Sequence, residues 1–107
     1  MSNQPNILII QADEHRADCI GAYGNPDIKT PHIDSLATDG VRYDNSFCPY
    51  PVCTPSRHSF LTSLYARQHL GASNHCTIPQ GLPTFPRVLQ KAGYKTKAVG
   101  KMHLTPT

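Results

Sequence analysis

The 107-residue sequence predicts an α/β layered fold. A continuous apolar run at residues 6–10 ("NILII") suits a buried parallel strand, because both faces of such a strand are covered. Val41, Tyr43, Asn45 and Phe47 alternate with other residues in "VRYDNSFC", the period-2 pattern of a second strand. Segments of helical period lie between and after these runs, giving the order β-α-β-α-α-β with no internal repeat.

The first run ends abruptly at "QADEHRAD", where polarity reverses. "TPHIDSLATDG" follows as a short helix. Thr30 is placed to cap it, Pro31 opens it, Ile33, Leu36 and Ala37 share a face, and Gly40 stops it. After the second strand comes a proline-rich loop, residues 49–55, and then a helix over residues 56–65 with Phe60, Leu61 and Leu64 as its apolar face. Residues 66–83, punctuated by Gly71, Pro79, Gly81 and Pro83, read as a long surface loop. "TFPRVLQKAG" is another helix, with Phe85, Val88, Leu89 and Ala92 at helical spacing and Gly93 at its end. "YKTKAVG" reads as a third short strand. Three strands are few for a sheet covered on both faces. The expectation is therefore that residues 1–107 are the N-terminal portion of a larger catalytic domain, an independent small domain being the rival.

Composition removes several functions. With 38% hydrophobic and 16% charged residues the chain has an ordinary globular balance, not that of a disordered segment. A net charge of +3, 7% aromatics and no Trp do not make the basic, stacking surface that nucleic acid requires. No apolar run approaches the ~20 residues that would span a bilayer. The start carries no basic region and too short an apolar stretch for an export signal, so a cytoplasmic location is expected, with periplasmic or secreted placement open. The four cysteines then read as thiols rather than two disulfides, and no C-x-x-C spacing suggests zinc.

In open α/β sheets, ligands bind beyond the carboxyl ends of the strands. If the three strands are parallel, their ends deliver Asp13 and Glu14, then Cys53 and Arg57, then Lys101 and His103, to one edge. Adjacent carboxylates repel unless a cation sits between them, and their oxygens suit Ca²⁺ or Mg²⁺. Arg and Lys suit a tetrahedral oxyanion. Cys53, read as lying just before a helix, stands where the helix dipole favours negative charge. The set fits a sulfate or phosphate ester.

The same residues carry a resemblance. "CTPSR", Cys53 to Arg57, matches the C-x-P-S-R signature of type I sulfatases. "PNILIIQADEHRAD" resembles the family's N-terminal strand and metal-binding turn, and "GAYGNPDIKTPHIDSLATDGVRYDNSF" the segment that follows. "LPTFPRVLQKAGYKTKAVGKMHL" resembles the helix-strand unit ending in G-K-x-H. The resemblance implies an alkaline-phosphatase-like fold, with a mainly parallel central sheet covered by helices. It implies oxidation of Cys53 to Cα-formylglycine by a formylglycine-generating enzyme that reads Pro55 and Arg57 in the unfolded chain. The hydrated aldehyde would attack sulfur, release the alcohol and then expel sulfate. Carried over, Asp13 would be a metal ligand, Glu14 stands where the family usually has a second Asp, and converted Cys53 would also face the metal. Arg57 would hold the hydrate, Lys101 the sulfate oxygens, and His103 the hydrate or sulfate. The cofactor implied is Ca²⁺ (or Mg²⁺), and the substrate a small-molecule or sugar sulfate ester.

Family members are longer, and the rest of the metal site and the leaving-group residues come later in their sequences. The 107-residue chain alone is thus expected to be inactive, and the full-length form an enzyme able to oligomerise. Two alternatives stand beside the sulfuric-ester hydrolase: a phosphonate or phosphate-ester hydrolase of the same superfamily, and a non-catalytic truncated fragment. Cys19, Cys48 and Cys76 read as structural thiols. His15, His32, His58, His69 and His75 read as surface or loop residues, with Asn74 and His75 candidates to line a substrate pocket.

Overall fold

A computed structural model describes residues 4–105. Its regular elements among the described residues are helical: 3-10 turns at Ala17–Cys19 and Gly21–Tyr23, and helices α1 (Pro31–Asp39), α2 (Cys53–Thr62), α3 (Ala66–His69) and α4 (Phe85–Lys91). The chain divides into two compact units, one up to Asn45 and one from Ser46.

In the first unit, one carboxylate organises the turn and helix. Asp34 of α1 accepts hydrogen bonds from Ala22 N–H at 2.7 Å and from Thr30 Oγ1 at 2.9 Å, and Gly21 N–H donates to Thr30 Oγ1 at 2.8 Å. Gly21 leaves room for this carboxylate, since a Cβ there would come 2.6 Å from Asp34 Oδ2. Thr30 and Pro31 open α1 as their types predict, although the Thr30 hydroxyl serves Asp34 rather than the helix backbone. The Arg42 guanidinium stacks 5.2 Å over the Tyr23 ring and pairs with Asp44. None of the helical residues of this unit is buried.

The second unit is held by polar packing. Thr54, Pro55, His58, Ser59 and Thr62 are the buried face of α2, joined by His69 of α3. His58 and His69 meet edge to face at 5.4 Å, and Ser59 Oγ bonds His69 Nε2 at 2.9 Å. Gly71 closes this cluster. A Cβ there would lie 2.7 Å from His58 Nδ1 and 3.0 Å from His69 Nδ1, inside ordinary contact distance. Phe60 of α2 and Phe85 of α4 stack edge to face at 5.3 Å.

The structure differs from the sequence reading at four places. No strand forms among the described residues, so the mainly parallel central sheet is not seen. The reason is physical: a parallel strand needs neighbours on both edges and cover on both faces, yet Leu8 and Ile10 are each 83% exposed and Val99 89%. Helix α2 begins at Cys53, three residues before the expected start, and ends where Ser63 turns left-handed (φ 59°). Its buried face is the polar one, while Phe60 is 42% exposed. Finally, the expected surface loop contains α3, and His58 and His69, expected at the surface, are fully buried.

Candidate active site

Cys53, Arg57, Lys101 and His103 all belong to the second unit; Asp13 and Glu14 belong to the first. Cys53 is the first residue of α2, not a loop residue preceding it, and is a half-buried thiol. Its position follows from the local sequence. Val52 is extended, and Pro55 fits the first turn because that position needs no N–H. Ser56 N–H closes the turn on Val52 O at 2.9 Å. Asn74 from the following loop accepts Thr54 N–H at 3.0 Å. Since Pro55 has no N–H, Cys53 supplies the remaining backbone donor of the first three helical residues, beside its own side chain.

Lys101 Nζ lies 3.5 Å from Cys53 Sγ. Arg57, one helical turn after Cys53, donates from Nη1 to Lys101 O at 2.6 Å. One cationic group therefore faces residue 53 directly, and a second anchors the backbone of the first. His103 is half-buried with φ 47°, a left-handed conformation that costs a non-glycine residue about 1–3 kcal/mol and is kept only where its surroundings impose it. Its Nδ1 is buried with no hydrogen-bond partner among the described residues. Such an atom is suited to a ligand that brings its own donor or acceptor.

Asp13 and Glu14 are exposed, and Glu14 is likewise left-handed (φ 55°). Their carboxylates are the hard oxygen ligands that Ca²⁺ or Mg²⁺ takes, but such ions take six or more ligands. Among the described residues no three His, Cys, Asp or Glu side chains gather into a metal site. Taken alone, the described residues do not complete a metal centre; Asp13 and Glu14 are the two whose chemistry would suit one.

Three residues around the site escaped the sequence reading as site residues or were read otherwise. Thr54 Oγ1 donates to His103 O at 3.1 Å, and His58 Nε2 bonds Leu104 O at 3.3 Å. Burial, together with the neighbouring His69, lowers the His58 pKa, which keeps that ring neutral, although its bond to Leu104 O opposes the shift. Asn74, a candidate to line a pocket, accepts the Thr54 N–H in the first turn of α2. The available signal was a pair of polar residues one helical turn apart, Thr54 and His58, immediately following Cys53 and Arg57, which are themselves one turn apart.

The family model described as "Sulfatase" matches residues 5–107. The chain belongs to the sulfatase family. It is 43% identical to arylsulfatase D of Homo sapiens over 94% of this chain and 19% of that protein. It is 35% identical to the N-acetylglucosamine-6-O-sulfatase of Bacteroides thetaiotaomicron over 96% of this chain and 18% of that protein. The arylsulfatase of Clostridium perfringens is 36% identical over 96% of this chain and 22% of its own length. This sulfatase chain thus spans about a fifth of the length of these curated relatives. No solved structure matches it. Membership of the family implies an alkaline-phosphatase-like α/β fold.

Proposed function

We propose that this chain is the N-terminal part of a sulfuric-ester hydrolase domain, carrying the nucleophile and cationic residues that bind the anion. The remainder of the domain would supply the sheet partners, the other metal ligands and the leaving-group acid. The observation that carries this reading is the grouping of Cys53, at the start of the ten-residue α2, with the Lys101 ammonium 3.5 Å away and Arg57 holding Lys101 by its carbonyl. A half-buried position facing a cation at a helix start fits an oxygen nucleophile derived from Cys53 as well as it fits a thiol. Converted to formylglycine, residue 53 would supply a hydrated aldehyde, a nucleophile that carries its own means of releasing sulfate.

The other roles follow from charge. Lys101 neutralises sulfate oxygens as negative charge shifts during ester cleavage, and Arg57 fixes the ammonium and adds its own charge. His103, whose buried Nδ1 has no partner among the described residues, would serve the reacting groups by hydrogen bonding or proton exchange. Asp13 and Glu14 provide carboxylates toward Ca²⁺ or Mg²⁺ once the other ligands are present. The names of the relatives, aryl- and N-acetylglucosamine-6-O-sulfatases, support a sulfate monoester of an aryl alcohol or sugar as substrate.

The test is the full-length protein, expressed with a formylglycine-generating enzyme, assayed on paired aryl sulfate and aryl phosphate or phosphonate esters. Turnover of the sulfate ester, with a loss of about 18 Da from the peptide containing residue 53, supports the reading. Faster turnover of the phosphorus ester, or an active enzyme whose Cys53 remains wholly a thiol, overturns it.

A further inference from the structure

Residues 101–104 have no regular secondary structure, follow a left-handed Gly100 (φ 99°), and include the left-handed His103. A segment of this kind is not held by its own backbone pattern, and fixing each residue's dihedrals opposes folding. Nevertheless Lys101 and His103 must hold still if they are to act on residue 53. What holds them is α2. Three of its side chains donate to three carbonyls of the segment: Arg57 to Lys101 O, Thr54 to His103 O and His58 to Leu104 O. Ile78 N–H adds a second bond to Leu104 O, at 3.0 Å.

Two of the three donors, Thr54 and His58, are completely buried. Thr54 is bolted on both sides, its hydroxyl on His103 and its N–H on Asn74, and it directly follows Cys53. His58 donates from Nε2, so the neutral ring carries its proton there and leaves Nδ1 bare; that Nδ1 is buried without a partner among the described residues. Gly71 leaves just enough room for the ring in this orientation.

We infer that Thr54 and His58 are positioning residues that set where Lys101 and His103 stand relative to residue 53. Neither touches the reacting groups; each acts through a backbone carbonyl. The inference rests on the hydrolase reading for its catalytic consequence, but the tether itself does not. A misplacement of about 1 Å at a reacting centre can cost on the order of a hundredfold in rate. A lost tether is therefore expected to lower kcat/KM by about tenfold to a hundredfold.

The experiment uses the full-length protein with Thr54→Val, which keeps shape but loses the donor, against Thr54→Ser, which keeps it. His58→Leu against His58→Gln makes the same comparison at the second tether and carries the test if Thr54→Val does not fold. Activity on an aryl sulfate is normalised to the formylglycine fraction by mass, since Thr54 lies inside the modification motif. Amide hydrogen exchange is read on the peptide covering residues 101–104. The expected result is a fall in kcat/KM of about tenfold or more in the donor-less variants, with faster exchange confined to residues 101–104. Recovery to within about threefold is expected in Thr54→Ser and His58→Gln. In an active enzyme, donor-less variants within about twofold of wild type overturn the inference. So does a loss that the conservative variants fail to rescue, or one accompanied by faster exchange throughout α2 and α4. If the wild-type protein hydrolyses no sulfate ester, the hydrolase reading falls by itself, and exchange at residues 101–104 decides the tether: faster in Thr54→Val sustains it, unchanged overturns it.

Discussion

The two units of this chain solve the same problem to different degrees. The unit from Ser46 onward buries Thr54, Pro55, His58, Ser59, Thr62 and His69 and fixes its candidate residues by named hydrogen bonds. The unit up to Asn45 has no buried residue in its helices and turns, and its apolar run at residues 6–10 is exposed. The difference teaches that the group around Cys53 is organised by local sequence, through one helix and the loops tied to it. Asp13 and Glu14 follow a segment patterned as a strand, and a strand gains its hydrogen bonds and cover only from neighbours.

The largest expected effects test that division at the chemistry. Cys53→Ala in the full-length protein should lower kcat on an aryl sulfate by about a thousandfold or more, since no other group replaces the nucleophile. On the proposed role of Asp13 as a metal ligand, Asp13→Ala should also lower activity severely, with partial return in excess Ca²⁺ as for a defect in metal affinity. Titrating Ca²⁺ into both variants separates the two sides. Recovery of Cys53→Ala by metal, or unimpaired activity of Asp13→Ala, would break the division.

A second pair of substitutions compares how rigidly the two units are packed. Gly71→Ala drives a methyl to within 2.7 Å of His58 Nδ1 and 3.0 Å of His69 Nδ1, two fully buried rings. Overpacking of this kind costs about 1–3 kcal/mol. Gly21→Ala brings its methyl as close to a carboxylate, 2.6 Å from Asp34 Oδ2, but that is the end of a side chain on a half-buried residue, which can swing aside. Its cost is then the weakened bonds of Asp34, about 1 kcal/mol. Denaturant midpoints of the two variants check the order, and equal losses would contradict the contrast in packing.

Sequence reading was strongest where local chemistry decides the structure. Thr30, Pro31 and Gly40 bound α1 as expected, and Thr84 and Gly93 flank α4, because caps and breakers act within a few residues. The grouping of Cys53 with Lys101 was legible from the strand-end argument, although the strands that motivated it do not form here. Reading was weakest where the result depends on what packs against what. Hydrophobicity pointed α2 inward through Phe60, Leu61 and Leu64; the structure turns Thr54, His58 and Thr62 inward instead, because each finds a hydrogen-bond partner. A buried polar face carries no apolar periodicity to detect, so Thr54 and His58 stayed hidden although one lies inside the motif and the other adjoins it.

The smallest expected effect concerns pH and again sets the second unit apart. Burial is the main cause that holds the His58 pKa below its ordinary value of 6.5, with the nearby His69 acting the same way and the bond to Leu104 O opposing. The unfolded chain exposes the same imidazole with its ordinary affinity for a proton. Between the two pKa values the unfolded state therefore binds more protons than the folded one, and stability rises with pH across that interval. The contribution is fully present above about pH 6.5 and is lost as pH falls through the lowered value in the folded state. Protonation would also place a donor on Nδ1, which has no acceptor among the described residues. His58→Gln keeps a donor for Leu104 O but has no titrating group, so the slope of stability against pH below about 6.5 should flatten in that variant. Unfolding free energies measured from pH 5 to 8 on the full-length protein and on His58→Gln make the comparison. Parallel slopes would mean that His58 takes up its proton as readily in the folded state as in the unfolded one, and that the polar centre of this unit is open to water.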